Sequence, residues 1–314
     1  MSLLQVSNLK VYYKGRGLFR KQSVTKAVDG VSLFIDEHEA LGLVGESGSG
    51  KSTLGKTILL LIEPTEGDIE FDGIDVVRAA ARNDQRAMKR FRREAQIVFQ
   101  DPYSSLNPRM KTGNIIADPM RVHGIAKGDD LKKKVLNLLE LVGLPGSSYH
   151  KYPYAFSGGQ RQRISIARAL SIEPRFIVAD EPVSSLDISI QAQLLNLFKE
   201  IQEKRGVSYL FISHDLRTVA FIAHRIAVMY RGRIMELAPT KELIAHPLHP
   251  YTQLLLSSIP SKQRKSEKQQ EMPDRPAGGC VFYPRCGSAK DKCMDAGPEL
   301  KEVSFGHFVA CHLY

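Results

Sequence analysis

The fold of this chain is decided by one stretch of sequence, GESGSGKS at positions 45–52, which fits the pattern G-x-x-x-x-G-K-[S/T] without a mismatch. The apolar run Ala40–Val44 precedes it, and residues with helical spacing follow from Lys51. Glycines let such a loop fold around phosphate with its N–H groups inward, and the following helix adds its positive N-terminal end. The stretch therefore predicts a strand, a phosphate-binding loop and a helix that together bind a nucleoside triphosphate.

Two residues of this loop have distinct expected roles. Lys51 supplies a point charge to the β- and γ-phosphates, and the hydroxyl of Ser52 is a ligand for Mg²⁺. We expect nucleotide contacts from Gly45, Ser47, Gly48, Ser49, Gly50, Lys51, Ser52 and Thr53. The loop pattern does not specify the base, but the sequence contains no Asn-Lys-x-Asp guanine-reading motif, so a GTPase is not expected.

A second candidate site follows the apolar run Phe176–Ala179, where Asp180 and Glu181 end a predicted buried strand. The first acid at such an end can hold Mg²⁺ through water, and the second can polarise an attacking water as a general base. Alone, this pattern is equally typical of a solvated strand end. Downstream of a phosphate-binding loop, it predicts hydrolysis.

The periodicity of the remaining sequence indicates an α/β fold. Tyr209–Ile212 is another short apolar run, residues 190–201 have the spacing of an amphipathic helix, and residues 226–237 suggest a hairpin around Arg231-Gly232. We expect a parallel sheet with helices on its faces. Residues 111–154 have helical spacing without a strand pattern, and residues 261–276 are polar and aperiodic, which is typical of a linker.

Composition limits the possible classes of protein. The 314 residues suggest roughly two domains, and 43% hydrophobic with 25% charged residues is ordinary for a globular protein. No apolar run approaches the ~18 residues needed to cross a bilayer, and the first ten residues do not resemble a secretory signal, so we expect a cytoplasmic chain. The net charge of +10 includes basic clusters at residues 15–26, 82–93 and 261–268, but the sequence shows no nucleic-acid-binding motif of alternating basic and aromatic residues, so no nucleic-acid partner is expected.

Residues 156–160, Phe-Ser-Gly-Gly-Gln, resemble the signature of ATP-binding cassette (ABC) ATPases, and other motifs follow in the order of that family. Gln100 resembles the Q-loop glutamine, residues 184–187 resemble the D-loop, and His214 resembles the switch histidine. Tyr13, next to Tyr12, stands where the family stacks an aromatic ring on adenine.

The resemblance covers roughly residues 1–250 and implies a P-loop NTPase (RecA-like) α/β core. It also implies an antiparallel β subdomain and a helical signature subdomain at about residues 101–170. One departure is His38, which stands where the family usually has Gly, in a turn expected to need a positive φ.

The same resemblance implies an ATPase whose catalytic residues are Glu181, His214 and Gln100, with Gln100 joining Ser52 at Mg²⁺. Asp180 belongs to the same nucleotide site. A second set of residues, in the signature segment, covers ATP bound to the opposite subunit, so that two subunits enclose two nucleotides. These residues are Ser157, Gly158, Gly159 and Gln160.

Residues 100–109, 187–193 and 246–252 are similar to the oligopeptide and dipeptide importer branch, specifically its F-type ATPase subunit. This similarity implies a peripheral protein on the cytoplasmic face of the plasma membrane that powers uptake of di- or oligopeptides or related small solutes. Its implied partners are two membrane-spanning permease subunits, a related ATPase chain and, indirectly, an extracytoplasmic binding protein. Relatives are associated with peptides, nickel, glutathione and oligosaccharides, so the cargo stays open. Two alternatives also stay open: a soluble ABC ATPase without a transport role, and an iron–sulfur-linked ATP-dependent regulator.

All four cysteines, Cys280, Cys286, Cys293 and Cys311, lie in the last 35 residues with the spacing C-x5-C-x6-C-x17-C. Disulfides are a poor explanation in the cytosol, and four thiols in a short segment suit a metal centre that staples it. The residues alone leave zinc, iron–sulfur and free thiols open, and the resemblance implies a structural [4Fe–4S] cluster. We expect residues 251–314 to form a C-terminal extension, its tail packed apart from the core that holds the phosphate-binding loop.

Overall fold

The computed structural model describes residues 2–14, 24–257 and 278–314. The predicted linker at 261–276, the basic cluster at 261–268 and part of the cluster at 15–26 lie outside this range. The strands of the described part are β1 (Ser2–Lys14), β2 (Val24–Asp36), β3 (Ala40–Val44), β4 (Glu66–Phe71), β5 (Ile74–Asp75), β6 (Ala95–Val98), β7 (Phe176–Asp180), β8 (Ser208–Ser213), β9 (Arg225–Tyr230), β10 (Arg233–Pro239), β11 (Lys301–Ser304) and β12 (His307–Val309).

The α-helices of the same ranges lie between these strands and after β10. They are α1 (Lys51–Ile58), α2 (Val76–Ala81), α3 (Gln85–Glu94), α4 (Pro102–Ser105), α5 (Thr112–His123), α6 (Gly128–Leu141), α7 (Gly158–Leu170), α8 (Ile188–Arg205), α9 (Leu216–Ile222), α10 (Thr240–Ala245), α11 (Pro250–Ser257) and α12 (Lys292–Asp295). Short 3₁₀ turns occupy Gly146–His150, Pro153–Ala155 and Tyr283–Arg285. No helix in the described ranges has the length and apolarity needed to cross a lipid bilayer.

The larger sheet has the order β11-β12-β10-β9-β3-β8-β7-β6. Its five strands from β9 to β6 run parallel, and β10, β12 and β11 add antiparallel pairs at one edge. Every residue of β3, β7 and β8 is buried, as expected where helices cover both faces of a parallel sheet. The predicted α/β class is confirmed.

The smaller sheet is antiparallel, with the order β2-β1-β4-β5. Its inward residues, such as Leu4 and Phe71, share a hydrophobic cluster with Leu54 of α1 and with Phe176 of β7. This sheet therefore closes one face of the core sheet and lies beside the phosphate-binding loop.

Between β6 and β7 the chain is entirely helical or irregular, as the spacing of residues 111–154 predicted. On α6 the side chains of Leu131, Val135, Leu138 and Leu139 are buried and belong to the same cluster as Ile116 of α5 and Ile164 of α7. The signature segment therefore lies at the start of α7, a helix that packs against α5 and α6 in this helical arm (the segment between β6 and β7).

The tail of the C-terminal extension (residues 278–314) packs on the main body (the described residues up to 257), not apart from it. β12 pairs with β10, and Cys280, Phe282 and Cys293 belong to the same hydrophobic cluster as Val44. The expectation of a separate core for the tail is therefore wrong. So short a segment has too few apolar residues for a core of its own, and it buries them against the existing sheet.

Candidate functional site

The phosphate-binding loop joins β3 to α1 as predicted. Gly48 and Gly50 have φ angles of 78° and 104°, and a Cβ on Gly50 would lie 2.0 Å from the carbonyl oxygen of Ala27, so only glycine fits there. Lys51 Nζ donates to the carbonyl oxygens of Gly45 (2.7 Å) and Glu46 (2.9 Å). Burial lowers the pKa of Lys51, an effect opposed by the nearby carboxylates. The loop thus encloses a desolvated cation at the start of a helix.

A cavity of about 910 Å³ opens beside this loop. It brings together the loop, the start of β2, the ends of three core strands and the β9–β10 turn. Its lining residues are Val24, Thr25, Lys26, Ala27, Ser47, Gly48, Gly50, Lys51, Ser52, Thr53, Gln100, Glu181, His214 and Arg231. Most of the loop residues expected to contact nucleotide therefore border one space with all three expected catalytic residues.

Ser52 lines this cavity and contacts the buried Asp180, which does not line it. Ser52 Oγ donates to Asp180 Oδ1 at 2.7 Å, and Lys56 Nζ is 4.0 Å from the other carboxylate oxygen. Burial raises the pKa of Asp180. A hydroxyl and a carboxylate at a strand end form an all-oxygen donor set, which fits a hard cation such as Mg²⁺.

One carboxylate oxygen of Glu181 is contacted by both Gln100 and His214. Gln100 Nε2 donates to Glu181 Oε2 at 3.1 Å, and His214 Nδ1 lies 3.3 Å from the same oxygen. Each residue follows a neighbouring strand, respectively β6, β7 and β8, so the carboxyl edge of the parallel sheet places them together. The sequence predicted the residues, and the sheet order explains why they converge.

The two tyrosines of β1 differ in their surroundings. The Tyr12 hydroxyl bonds to the carboxylate of Asp29, and burial together with that carboxylate raises the Tyr12 pKa to about 12. Tyr13 is 45% exposed and pairs across the sheet with Thr25, which lines the cavity. Tyr12 is therefore engaged elsewhere, and the stacking role predicted for Tyr13 stays a prediction.

The signature segment begins α7 with a capping box. Ser157 Oγ accepts from the Gln160 N–H, and the Gln160 side chain accepts from the Ser157 N–H. A Cβ on Gly159 would lie 2.5 Å from Ile190 Cγ2, so this glycine allows α7 to approach α8. Among the described residues, the signature segment does not line the cavity of its own chain, and Ser157 and Gln160 are exposed.

Sequence reasoning missed several residues around the loop. It assigned Arg231 only to a hairpin turn, yet this residue lines the cavity, and the next residue, Gly232, donates its N–H to the Ser49 carbonyl at 2.8 Å. It also missed Tyr251 and Arg285, which both contact Glu46. The basic character of the turn was the only local signal for Arg231, and no local signal pointed to the other two residues.

The fold gathers the cysteines in one region of the extension. The Cys280 N–H donates to the Cys293 carbonyl at 2.8 Å. Burial raises the pKa of the Cys280, Cys286 and Cys311 thiols. Cys311 lies near enough to the other three thiols for their negative charges to raise its pKa as well. Within the described ranges, however, no three His, Cys, Asp or Glu side chains are placed to hold a metal ion. The structure therefore gives no support to the expected [4Fe–4S] cluster.

Comparison with known proteins adds two family matches. The profile described as "ABC transporter" matches residues 28–184, and the one described as "Oligopeptide/dipeptide transporter, C-terminal region" matches residues 235–293. The chain is 49% identical to the oligopeptide transport ATP-binding protein AppF of Bacillus subtilis over 100% of this chain and 98% of that protein. It is 43% identical to the dipeptide transport ATP-binding protein DppF of Haemophilus influenzae over 98% and 96%.

Solved structures show the same likeness. The ATP-binding cassette MJ0796, in a dimeric post-hydrolysis state bound to ADP and Pi, has a TM-score of 0.66 and 28% identity to this chain. The match covers 76% of this chain and 98% of that one.

Proposed function

Because the chain belongs to the ABC transporter family and is an ATPase, we propose that it powers an importer of di- or oligopeptides. The names of its relatives and the match to the oligopeptide/dipeptide transporter C-terminal region support this cargo class. One observation carries the chemistry: Gln100 and His214 both reach the Glu181 carboxylate at the edge of the cavity that holds the phosphate-binding loop.

The proposed chemistry is attack of water on the γ-phosphorus of ATP, which breaks its bond to the β–γ bridging oxygen and releases ADP and phosphate. The loop N–H groups and Lys51 bind the phosphates, with Lys51 held in place by the carbonyl oxygens of Gly45 and Glu46. Glu181 Oε2 accepts the proton of the attacking water while Gln100 and His214 orient the carboxylate. Ser52, Asp180 and Gln100 would hold Mg²⁺, which supplies positive charge to the phosphate oxygens.

The backbone at Glu181 supports this assignment. Its φ is 44°, and its N–H donates to the Ile212 carbonyl of β8 at 3.0 Å. A non-glycine residue in this region costs of order 1–3 kcal/mol, and such strain clusters at functional sites. The bend begins directly after β7, and the Glu181 side chain borders the cavity.

We also propose that the signature segment caps a nucleotide on a second ATPase subunit. Its exposure, and its place outside the cavity of its own chain, support this arrangement. The second subunit in this proposal is a related chain, so the pair is a heterodimer. Tyr13 stacks on the adenine of the nucleotide in the chain's own cavity.

Importers of this kind act with membrane permease subunits. We propose two such subunits, a peripheral position on the cytoplasmic face of the plasma membrane, and an extracytoplasmic binding protein that delivers the peptide. Co-purification with two membrane proteins and peptide uptake by the reconstituted complex would distinguish this function from a soluble ABC ATPase or an ATP-dependent regulator.

Glu181→Gln tests the chemistry. The change keeps the shape of the side chain and an acceptor for Gln100 but removes the base, so ATP should bind while hydrolysis falls about 10²–10⁴-fold. Phosphate release by the assembled complex measures turnover, and equilibrium titration with ATP measures binding. Glu203→Gln, the same change at an exposed position on α8, serves as the control and should leave both quantities unchanged. Hydrolysis at a near-normal rate in the Glu181 variant would exclude it as the base.

The cysteine tail carries a further part of the proposal, a [4Fe–4S] cluster held by Cys280, Cys286, Cys293 and Cys311. The family resemblance and the spacing of the four cysteines motivate it, although loading would have to bring their sulfurs closer together than the described structure places them. Anaerobically purified protein should then contain about four irons per chain and absorb broadly at about 400 nm. A Cys→Ser change at any of these positions should lower the iron content. One zinc without iron, or four free thiols, would reject the cluster.

A further inference from the structure

Glu46, the second residue of the phosphate-binding loop, is held by two residues from the C-terminal part of the chain. Its N–H donates to the Tyr251 hydroxyl oxygen at 3.0 Å, and its carboxylate Oε2 accepts from Arg285 Nη1 at 2.8 Å. Its carbonyl oxygen accepts from Lys51 Nζ at 2.9 Å and from the Ser49 N–H at 3.2 Å. All three polar groups of Glu46 therefore have partners. One of these partners is Lys51, the residue expected to bind phosphate.

An aromatic cluster fixes the two residues that hold Glu46. The rings of Tyr230, Tyr251 and Phe282 lie with centroids 4.7–5.4 Å apart, and Tyr251 and Phe282 are fully or almost fully buried. The Arg285 guanidinium lies 5.7 Å from the Tyr230 ring centroid and 5.8 Å from that of Phe282. Packed rings have few alternative positions, so the hydroxyl and the guanidinium are presented to Glu46 at defined places.

The geometry points to a role for this contact in nucleotide binding: we propose that Tyr251 and Arg285 are positioning residues for the phosphate-binding loop. They fix Glu46, and the Glu46 carbonyl in turn fixes Lys51. A loop held in its binding conformation loses less conformational entropy when ATP binds, which raises its affinity for ATP. The proposal rests on the proposed binding of ATP phosphates by Lys51, and it assigns the C-terminal extension a part in the nucleotide site.

The position of Arg285 extends this role to the cysteine segment. Arg285 ends the turn Tyr283–Arg285 and is followed directly by Cys286, while Cys280 lies just before Phe282. A rearrangement of the segment between Cys280 and Cys286 would therefore move the guanidinium that holds Glu46. The affinity for ATP should therefore depend on whether the segment between Cys280 and Cys286 keeps its folded conformation.

The test is a set of single variants and a double variant of the full-length chain. Arg285→Ala and Glu46→Gln should each weaken binding of a fluorescent ATP analogue by about 3- to 10-fold. The first change removes the donor of a partly exposed ion pair, and the second removes the negative charge of its acceptor. The double variant should bind no more weakly than either single variant, because both changes break the same contact. Effects that multiply in the double variant would contradict the proposed contact.

Conservative variants separate positioning from stability. Arg285→Lys keeps the charge and should recover part of the affinity. Tyr251→Phe keeps the ring in the aromatic cluster and removes only the acceptor for the Glu46 N–H, so it should weaken ATP binding with little change in melting temperature. Lys292→Ala removes an exposed basic residue of the same extension and should leave affinity unchanged.

Two results would overturn the proposal. One is a lowered melting temperature with unchanged ATP affinity in the Arg285→Ala, Glu46→Gln and Tyr251→Phe variants. The other is tighter ATP binding in any of them. The readout is equilibrium binding without turnover, so a failure of Glu181 as the base would leave this test unaffected, and a failure here would leave the hydrolysis experiment unaffected.

Discussion

At the scale of single residues, His38 shows how a backbone requirement is met without glycine. Its φ is 62°, which confirms the expectation of a positive φ in the turn between β2 and β3. His38 Nδ1 lies 2.6 Å from the carbonyl oxygen of Gly206, the C-cap residue that follows α8. The left-handed conformation is unfavourable for histidine, and this hydrogen bond offsets part of that cost.

His249 gives a pH dependence at the same scale. It is 1% exposed, its Nδ1 accepts from the Tyr251 N–H, and burial lowers its pKa to about 4. The unfolded chain, with a histidine pKa of about 6.5, binds the proton more readily than the folded chain. The stabilisation that neutral His249 contributes to the folded chain is therefore complete above pH 6.5. It is lost as the pH falls toward 4, which lowers the free energy of unfolding by on the order of 3 kcal/mol.

Denaturant unfolding of the nucleotide-free chain between pH 7 and pH 4 measures this effect. His249→Asn should reduce the slope of unfolding free energy against pH in this window. His246→Asn, in the same motif but largely exposed, should leave the slope unchanged. Equal slopes for wild type and both variants would exclude His249 as the titrating group.

At the scale of elements, the packing of α7 on α8 determines which glycine of the signature is required by sterics. A Cβ on Gly159 meets Ile190 Cγ2 at 2.5 Å, whereas a Cβ on Gly158 meets the flexible end of Leu186 at 3.2 Å. Both φ values lie outside the left-handed region, so close approach, not backbone conformation, is the constraint at Gly159.

Gly159→Ala should therefore lower the free energy of unfolding by about 1–2 kcal/mol, since overpacking outweighs the gain in helix propensity. Gly158→Ala should stay within about 0.5 kcal/mol of wild type. Urea unfolding of the nucleotide-free chain makes the comparison without any contribution from catalysis. Equal destabilisation by the two changes would show that the α7–α8 contact does not set the difference.

At the scale of the whole molecule, the C-terminal extension and the main body share buried groups. The Glu236 carboxylate of β10 is fully buried and accepts hydrogen bonds from His307 Nε2 at 2.8 Å, from the Leu248 N–H and from the His249 N–H. A buried carboxylate without these donors would be costly, so β10 and the two segments that supply the donors are held together. We expect the extension and the main body to unfold in one transition.

Phe282→Ala tests this cooperativity. The ring contacts Tyr230, His249 and Tyr251, and its removal should cost about 3–5 kcal/mol in a single unfolding transition detected both by circular dichroism and by ATP binding. Phe305→Ala is the matched control, because this phenylalanine lies fully exposed in the β11–β12 turn. Two separate transitions, with ATP binding lost only in the second, would show that the extension folds independently.

The sequence alone determined the features that depend on local pattern. The phosphate-binding loop, the acids that end β7, the histidine that ends β8 and the helical arm all follow from residue types at fixed spacing. Strand, loop and helix are built from neighbouring residues, so their signals are contiguous. The resemblance also grouped Gln100, Glu181 and His214 as catalytic residues, but their contact with one another depends on β6, β7 and β8 being neighbours in the sheet, which the sequence did not show.

Only the tertiary structure decided how the C-terminal extension meets the phosphate-binding loop. Glu46 and Arg285 are 239 residues apart, and no local pattern connects a loop glutamate with an arginine of a distant turn. The expectation of a separate tail core failed for the same reason, since it was drawn from sequence distance while Phe282 is buried against β9 and α11. An apolar side chain is buried against whichever apolar face the folded chain places beside it. The arrangement of the whole sheet, and not proximity in sequence, determines which face that is.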